Sequence, residues 1–420
     1  MKIALIDPPG TSRGLNTGLA YIAANILAKR KGDSVKVFDF NNNRKRVKER
    51  IREIGEYDII SFSIKSFTQR EAFFILDRIL LRKESTVIFG GPHLAIEKEK
   101  FFEKDKRINA ILTGEGETSF CNFLERLESK RNGYDIKGLA IRNEDTITSN
   151  GSMAIEDDLD SLPFPCYTVF DSVSKRIDNY PLLTSRGCPY KCVYCSVGLI
   201  SGKRWRGRKL GSIIREIKLA REKFGFRYFF IIDDNFTFKK ERTKEFCKAL
   251  ISEKIDLNWS LPNGIRADKV DEELVRLMKS SGCEAVSFGV ESADPEVFKG
   301  IGKGETLDEI SRAILLCKRY DLRVSAKFII GLPGSSHEST KRSLLWAKKM
   351  KFYDINWNLL VPYPGTEAYE VIKRNGRFIR SWEDGFHFGP FLHSTFEIDS
   401  YSAREIEKDV RRANVSSSNL

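Results

Sequence analysis

Short apolar runs alternate with longer amphipathic stretches from the first residues onward. Lys2 to Asp7 is an apolar run closed by Pro8-Pro9-Gly10, the pattern of a buried strand with a loop at its carboxyl end. A helical pattern covers Leu19 to Lys31. Strands then follow at Val35 to Phe38, Asp58 to Ile64, Thr86 to Phe89 and Ala110 to Leu112, with helices at Arg46 to Gly55, Thr68 to Lys83, Glu97 to Glu103 and Thr118 to Lys130. This alternation predicts right-handed crossovers and a parallel, doubly wound sheet over residues 1–140, with ligands at the carboxyl ends of its strands. The pattern weakens over 141–180, where Asn143-Glu144-Asp145, Asn150-Gly151-Ser152 and Leu162-Pro163-Phe164-Pro165 read as a linker. A second series of strands begins at Leu182 to Ser185 and continues at Tyr228 to Ile232, Asn258 to Leu261, Ala285 to Val290, Val324 to Ile330 and Asn356 to Val361. Over 181–370 these units predict a partial (β/α)6 barrel, again with its chemistry at the carboxyl ends of the strands. Residues 371–420 form an aromatic-rich tail with Trp382, Phe386, His387, Phe388, Phe391, His393 and Phe396, read as packing in preference to a lining of the barrel mouth.

Composition narrows the class without altering that outline. The 420 residues are 41% hydrophobic and 11% aromatic, enough to fill two cores. No apolar run approaches ~18 residues and no leader pattern opens the chain, so neither a membrane span nor secretion is expected, and the expected location is cytoplasmic. The formal charge of +13 would suit an anionic partner. The basic residues are spread through Arg44 to Arg52, Lys203 to Lys209 and Lys341 to Lys351 and alternate with acids, which favours solvated helical faces over a nucleic-acid groove. Cys121, Cys166, Cys247, Cys283 and Cys317 are scattered in the manner of small core residues, not of a disulfide framework.

The other three cysteines stand together in Arg186-Gly187-Cys188-Pro189-Tyr190-Lys191-Cys192-Val193-Tyr194-Cys195. CxxxCxxC spacing lets three thiolates converge from one loop onto a single inorganic centre. A structural zinc site would need a fourth ligand, and His93, His337, His387 and His393 are all remote in sequence. In a 4Fe-4S cluster, three ligands leave one iron open to chelate a small molecule and pass it an electron. The spacing, with Tyr194 before the last cysteine, resembles the radical S-adenosylmethionine (SAM) superfamily. The resemblance implies that Cys188, Cys192 and Cys195 hold the cluster and that later strand ends hold S-adenosylmethionine. Asp233, Asp234 and Asn235 would take its ammonium, for which carboxylates and an amide are suitable acceptors. Arg266 would take its carboxylate, Glu291 and Ser292 the ribose, and Gly331 and Leu332 the adenine, with Tyr194 in the same pocket.

Gly90-Gly91-Pro92-His93, Gly114-Glu115-Gly116-Glu117 and Ser61 to Ser66 lie on the ligand side of the first predicted sheet. They resemble loops of the cobalamin-binding Rossmann-like domain that precedes many radical SAM barrels, which implies a cobalamin site at Ser63, Gly90, Gly91, Gly114 and Glu115. That family's cobalt-ligating DxHxxG motif is absent, since the loop reads Asp-Pro-Pro-Gly-Thr-Ser-Arg-Gly from Asp7. The resemblance therefore implies an enzyme that uses a 4Fe-4S cluster, S-adenosylmethionine and cobalamin to C-methylate an unactivated C–H, with flavodoxin or ferredoxin as reductant. Its substrate would be a small molecule or biosynthetic intermediate. A cobalamin-independent or non-methylating outcome (cyclisation, rearrangement or redox change) and a non-enzymatic iron-sulfur protein that binds nucleic acid stand as alternatives.

Overall fold

The apolar run at the amino terminus forms β1 (Lys2–Asp7), at the bounds its pattern predicts. The computed structural model describes residues 1–11, 13–129, 135–385 and 392–417, with Ser416 and Ser417 as backbone only. The chain divides into two units, Met1–Ile177 with Leu199–Ser201, and Asp178–Gly198 with Gly202–Leu420. In the first, β1 is joined by β2 (Ser34–Asp39), β3 (Ile59–Ser63), β4 (Thr86–Gly90) and β5 (Ala110–Leu112) in the parallel order β2-β1-β3-β4-β5. Ile3, Ala4, Leu5 and Ile6 are all fully buried, because helices cover both faces of a parallel sheet and leave no polar side. Phe62 stacks on Phe89 with ring centroids 4.8 Å apart in the core of one face.

Two expectations for this unit are corrected. The stretch read as a linker over 141–180 continues the fold: β6 (Leu139–Asn143) pairs antiparallel with β5, and β7 (Thr146–Ser149) with β6. The Asp171 amide donates to the Val37 carbonyl (3.0 Å), and the Tyr167 hydroxyl bonds Thr17 (3.1 Å). Of the two, β7 is the edge strand and exposes three of its four residues, so it carries no apolar alternation. The helix expected over Thr68 to Lys83 is shorter, Gln69–Leu76, and that over Glu97 to Glu103 is a turn of α-helix (Leu94–Glu97) followed by a 3-10 segment (Lys98–Lys104).

The second unit is built on β8 (Asn179–Leu182), β9 (Tyr228–Ile231), β10 (Asn258–Ile265), β11 (Cys283–Glu291), β12 (Arg323–Ile330) and β13 (Asp354–Leu359). All are parallel, and each pairs with the next in sequence, which is the open winding of a partial (β/α)6 barrel. Trp259, fully buried on β10, packs against Phe229, Phe236 and Phe246 beneath the helical layer. A carboxyl-terminal helix, Ala403–Ser417, covers the sixth strand: Ile406, Val410 and Ala413 are completely buried, and Asn414 donates to the Trp357 carbonyl (3.1 Å). Of the aromatic tail, Phe396 is fully buried in a short hairpin (Gly376–Phe378 with Phe396–Ile398), while Phe386, His387, Phe388 and Phe391 lie outside the described residues. Among the described residues no helix is long and apolar enough to cross a membrane.

At the carboxyl end of β1, Asp7 is buried, with one oxygen accepting from Asn16 Nδ2 (2.8 Å) and the other unpartnered. Burial raises its carboxyl from the ordinary value to about 6, against the opposing field of Lys65. A folded-state pKa above the unfolded one favours the protonated form, so the contribution to stability is present below about pH 4 and lost as pH rises through 6. Asp7→Asn is expected to stabilise the protein at pH 8 by up to about 3 kcal/mol and to change little near pH 4, as read from melting curves at the two pH values. An equal effect at both would mean that Asp7 is ionised throughout.

Candidate active site at the cysteine loop

The cysteine loop leaves the barrel just after β8. Ser185–Arg186 pairs antiparallel with Arg206–Gly207, closing the base of an excursion that carries Cys188, Cys192 and Cys195. Gly187, at φ +82°, stands where a Cβ would lie 2.3 Å from the Arg204 carbonyl oxygen, so only glycine admits the crossing. The loop is then pinned along its length: the Cys188 amide donates to Gly202 O (3.3 Å), Val193 N to Ile301 O (3.0 Å), and Ala368 N to Val193 O (2.8 Å). The three thiols are free and half-buried. Burial pushes up the thiols of Cys192 and Cys195, the latter to about 12, and the neighbouring cysteines add to both shifts. Three thiols carried on one pinned loop fit a shared cationic centre, which would remove their protons on ligation.

The end of β9 supports this loop with three consecutive side chains that play different parts. Asp233 is buried, accepting from the Thr184 amide (2.6 Å) and from the Thr184 and Ser185 hydroxyls (2.5 and 2.6 Å). Asp234 is exposed and accepts from the Gly187 amide (2.8 Å). Asn235 places its amide 3.6 Å from the Cys188 sulfur. Of the two carboxylates expected at the methionine ammonium, the structure thus ties Asp233 to the root of the loop and leaves Asp234 at its open side. Arg266 lies 3.6 Å from the Tyr190 ring and donates to Asp268 (2.9 Å), Lys303 O (2.7 Å) and Gly304 O (3.0 Å), so three of its N–H groups brace the protein itself.

Glu291 ends β11 with φ +64°, a left-handed conformation that is costly for a side chain with a Cβ and marks functional positions. Its carboxylate sits 3.8 Å from Lys303 Nζ and beside the Tyr194 hydroxyl. Burial raises both Glu291 and Tyr194, with Lys303 drawing Glu291 back down. Gly289 lies beneath this group, where a Cβ would fall 2.2 Å from Glu291 Oε1 and displace the carboxylate. Lys303, also 3.1 Å from Glu305, is the cation that sequence reasoning missed. Its field lowers the Cys192 thiol against burial. The signal was present in Gly302-Lys303-Gly304, a lysine between two glycines of positive φ (64° and 70°). Ser292 is buried and capped into the next helix through Asp294 N (3.2 Å). Gly331 turns the chain at φ +90°, and Leu332 is wholly buried.

In the first unit, Ser63 accepts from Asn16 (3.3 Å), the residue that also bonds Asp7. Gly91 and Gly114 serve close approach of the chain to itself: a Cβ would lie 2.6 Å from Ile64 O and 2.3 Å from Ala154 O, respectively. Glu115 accepts from the Glu156 amide (2.6 Å), and Gly90 has ordinary space around it. His93 is buried and bonded to Ser66 (3.1 Å).

With this geometry in place, residues 182–347 match the family model of the radical SAM superfamily. The chain carries a radical SAM domain. Such a domain is an enzyme's, and it works with a 4Fe-4S cluster and S-adenosylmethionine. The chain is 28% identical to an uncharacterised methyltransferase of Pyrococcus horikoshii, over 99% of its own length and 92% of the relative's. It is 26% identical to a cytidylyl-2-hydroxyethylphosphonate methyltransferase of Streptomyces wedmorensis, over 71% of its length and 62% of that protein's. In fold it is similar to TsrM, a radical S-adenosylmethionine methyltransferase of Kitasatospora setae, with a TM-score of 0.73 at 16% identity over 90% of this chain and 78% of the other. Another structure of TsrM holds cobalamin and a [4Fe-4S] cluster.

Two substitutions separate support of the loop from contact with the cosubstrate in the radical SAM domain. Asp233→Ala removes the acceptor of three buried bonds, each worth about 1.5–3 kcal/mol, and is expected to lower both melting temperature and iron per chain. Glu291→Gln is expected to retain iron and weaken S-adenosylmethionine binding by about tenfold. Iron analysis and equilibrium binding on both variants check this, and unchanged iron in Asp233→Ala would contradict the support role.

Proposed function

We propose that the protein is a cobalamin-dependent radical SAM methyltransferase that acts on a C–H of a small-molecule substrate. The observation that carries this reading is the joining, in one chain, of a parallel-sheet unit to a radical SAM barrel, an arrangement similar over 90% of the chain to that of TsrM. The full-length relative named a methyltransferase supports it. The first unit offers polar groups where a ligand of such sheets binds, at the carboxyl ends of β1 and β3: Asn16, held between Asp7 and Ser63, and the unpartnered oxygen of Asp7. No histidine stands in the loop after β1, so cobalt would take no imidazole from that loop.

When bound, the cluster supplies the electron that cleaves S-adenosylmethionine, and cobalamin supplies the methyl group. The chain supplies position and charge. Cys188, Cys192 and Cys195 hold the cluster, Asn235 donates toward the Cys188 sulfur, and Asp234 stands at the open side for the methionine ammonium. Lys303, with Arg266 behind it, is the cation for the methionine carboxylate, and Glu291 takes the ribose hydroxyls. Leu332 and the turn at Gly331 back the adenine, with Tyr194 on its other side. An external flavodoxin or ferredoxin is the reductant.

The test is to purify the protein with hydroxocobalamin present and to count corrin per chain. The account expects close to one corrin, retained on gel filtration, and formation of S-adenosylhomocysteine when the reduced, loaded protein meets S-adenosylmethionine. Failure to retain corrin would leave a cobalamin-independent radical SAM enzyme.

A further inference from the structure

We propose that Lys327, inside the barrel, binds an anionic group of the substrate. On β12 the side chains of Val324, Ala326, Phe328 and Ile330 are buried, and Phe328 stacks on Trp357 (4.2 Å) with Trp346 of the helix His337–Met350 at its edge (6.3 Å). The opposite set, Ser325, Lys327 and Ile329, therefore faces the lumen, since successive strand residues point to opposite sides. Lys327 pairs in register with Gly289 on one side and Asn356 on the other. Asn356 and Asn358 share its face, because Trp357 between them lies against the helical layer. Ser287, in register with Ser325, is buried, and its hydroxyl has no hydrogen-bond partner.

Hydroxyls and amides thus stand beside Lys327 on its own and the flanking strands, while the space over Gly289 is occupied by the Glu291 carboxylate and the Lys303 ammonium, 2.2 and 3.2 Å from where a Cβ there would lie. Among the described residues the Lys327 ammonium makes no hydrogen bond or ion pair. Burial depresses its pKa, and the charged group whose field opposes this is Glu291, which already faces Lys303 and Tyr194. Asp354, on the same face as Asn356, is exposed and bonded by the Asn356 amide (2.8 Å). A half-buried ammonium that no carboxylate bonds is costly to remove from water, and an anion among the neighbouring hydroxyl and amide donors would offset that cost. Ser287, Ser325 and Asn356 can add hydrogen bonds to a phosphoryl or carboxylate oxygen held on Lys327.

The inference rests on the radical SAM reading of the barrel and narrows its substrate to anionic molecules. Protein reconstituted with iron and sulfide and saturated with S-adenosylmethionine is titrated calorimetrically with inorganic pyrophosphate, inorganic phosphate and succinate. Wild type, Lys327→Met and Lys327→Arg are compared, with iron content and S-adenosylmethionine affinity measured on each. Wild type is expected to bind at least one probe, the phosphates or succinate telling a phosphoryl site from a carboxylate site. Binding should fall about tenfold or more in Lys327→Met and recover to within about threefold in Lys327→Arg, with S-adenosylmethionine affinity changed less than about threefold. Undiminished probe binding in Lys327→Met overturns the proposal, as does wild type that holds its cluster and binds no probe. A parallel loss of S-adenosylmethionine affinity also overturns it, by assigning Lys327 to the cosubstrate. A wild-type protein that takes up no cluster fails at the earlier step and overturns the parent reading.

Discussion

The buried carboxylate of Asp233 is the tie on which the site depends. It stands at the end of β9 and gathers the Thr184 amide and the Thr184 and Ser185 hydroxyls, which belong to the root of the cysteine loop. A charge taken out of water persists only with several hydrogen bonds, so this cluster fixes the end of β9 against the end of β8. Asp233, Asp234 and Asn235 are consecutive in the loop past the strand, so anchoring Asp233 holds Asp234 at Gly187 and Asn235 at Cys188. One structural carboxylate thereby orients two groups that touch the loop.

A second constraint comes from β11 and the turn after it. Gly289 leaves room for Glu291 and Lys303 to meet over the strand end, and the left-handed backbone at Glu291 bends its carboxylate toward Tyr194 in the cysteine loop. Arg266 secures the same turn from below through the carbonyls of Lys303 and Gly304 while covering Tyr190. The charged groups around the loop are thus held before any ligand arrives, which lowers the reorganisation that binding would otherwise require.

The strand pattern was legible where helices cover both faces of a sheet. Ile3 to Ile6 within β1 is apolar at every position because each of these side chains has a buried surface to meet. The pair Leu139–Asn143 and Thr146–Ser149 was not legible, because its outer strand is a solvated edge and its inner strand buries only Leu139 and Ala140. The carboxyl-terminal helix did carry a signal, with Ile406, Val410 and Ala413 at helical spacing, but the surrounding charges and the aromatic segment before it masked the stripe. At the site, the cysteine spacing identified the loop, and the acidic and glycine-rich strand ends identified its neighbourhood. The division of labour between Asp233 and Asp234 was not legible, because both lie in the loop past Ile231, where no strand alternation says which carboxylate turns inward. Lys303 and Lys327 were passed over because a lone lysine reads as a solvated one until the fold shows which way it faces.

The central claim is that Cys188, Cys192 and Cys195 hold a cluster with one iron open to S-adenosylmethionine. Electron paramagnetic resonance of the anaerobically reconstituted, reduced protein, recorded with and without S-adenosylmethionine, tests it most directly. The account predicts a 4Fe-4S signal whose g-values shift on addition of S-adenosylmethionine and which is lost when the three cysteines are changed to alanine. A signal indifferent to S-adenosylmethionine, or one that survives the triple substitution, would contradict it.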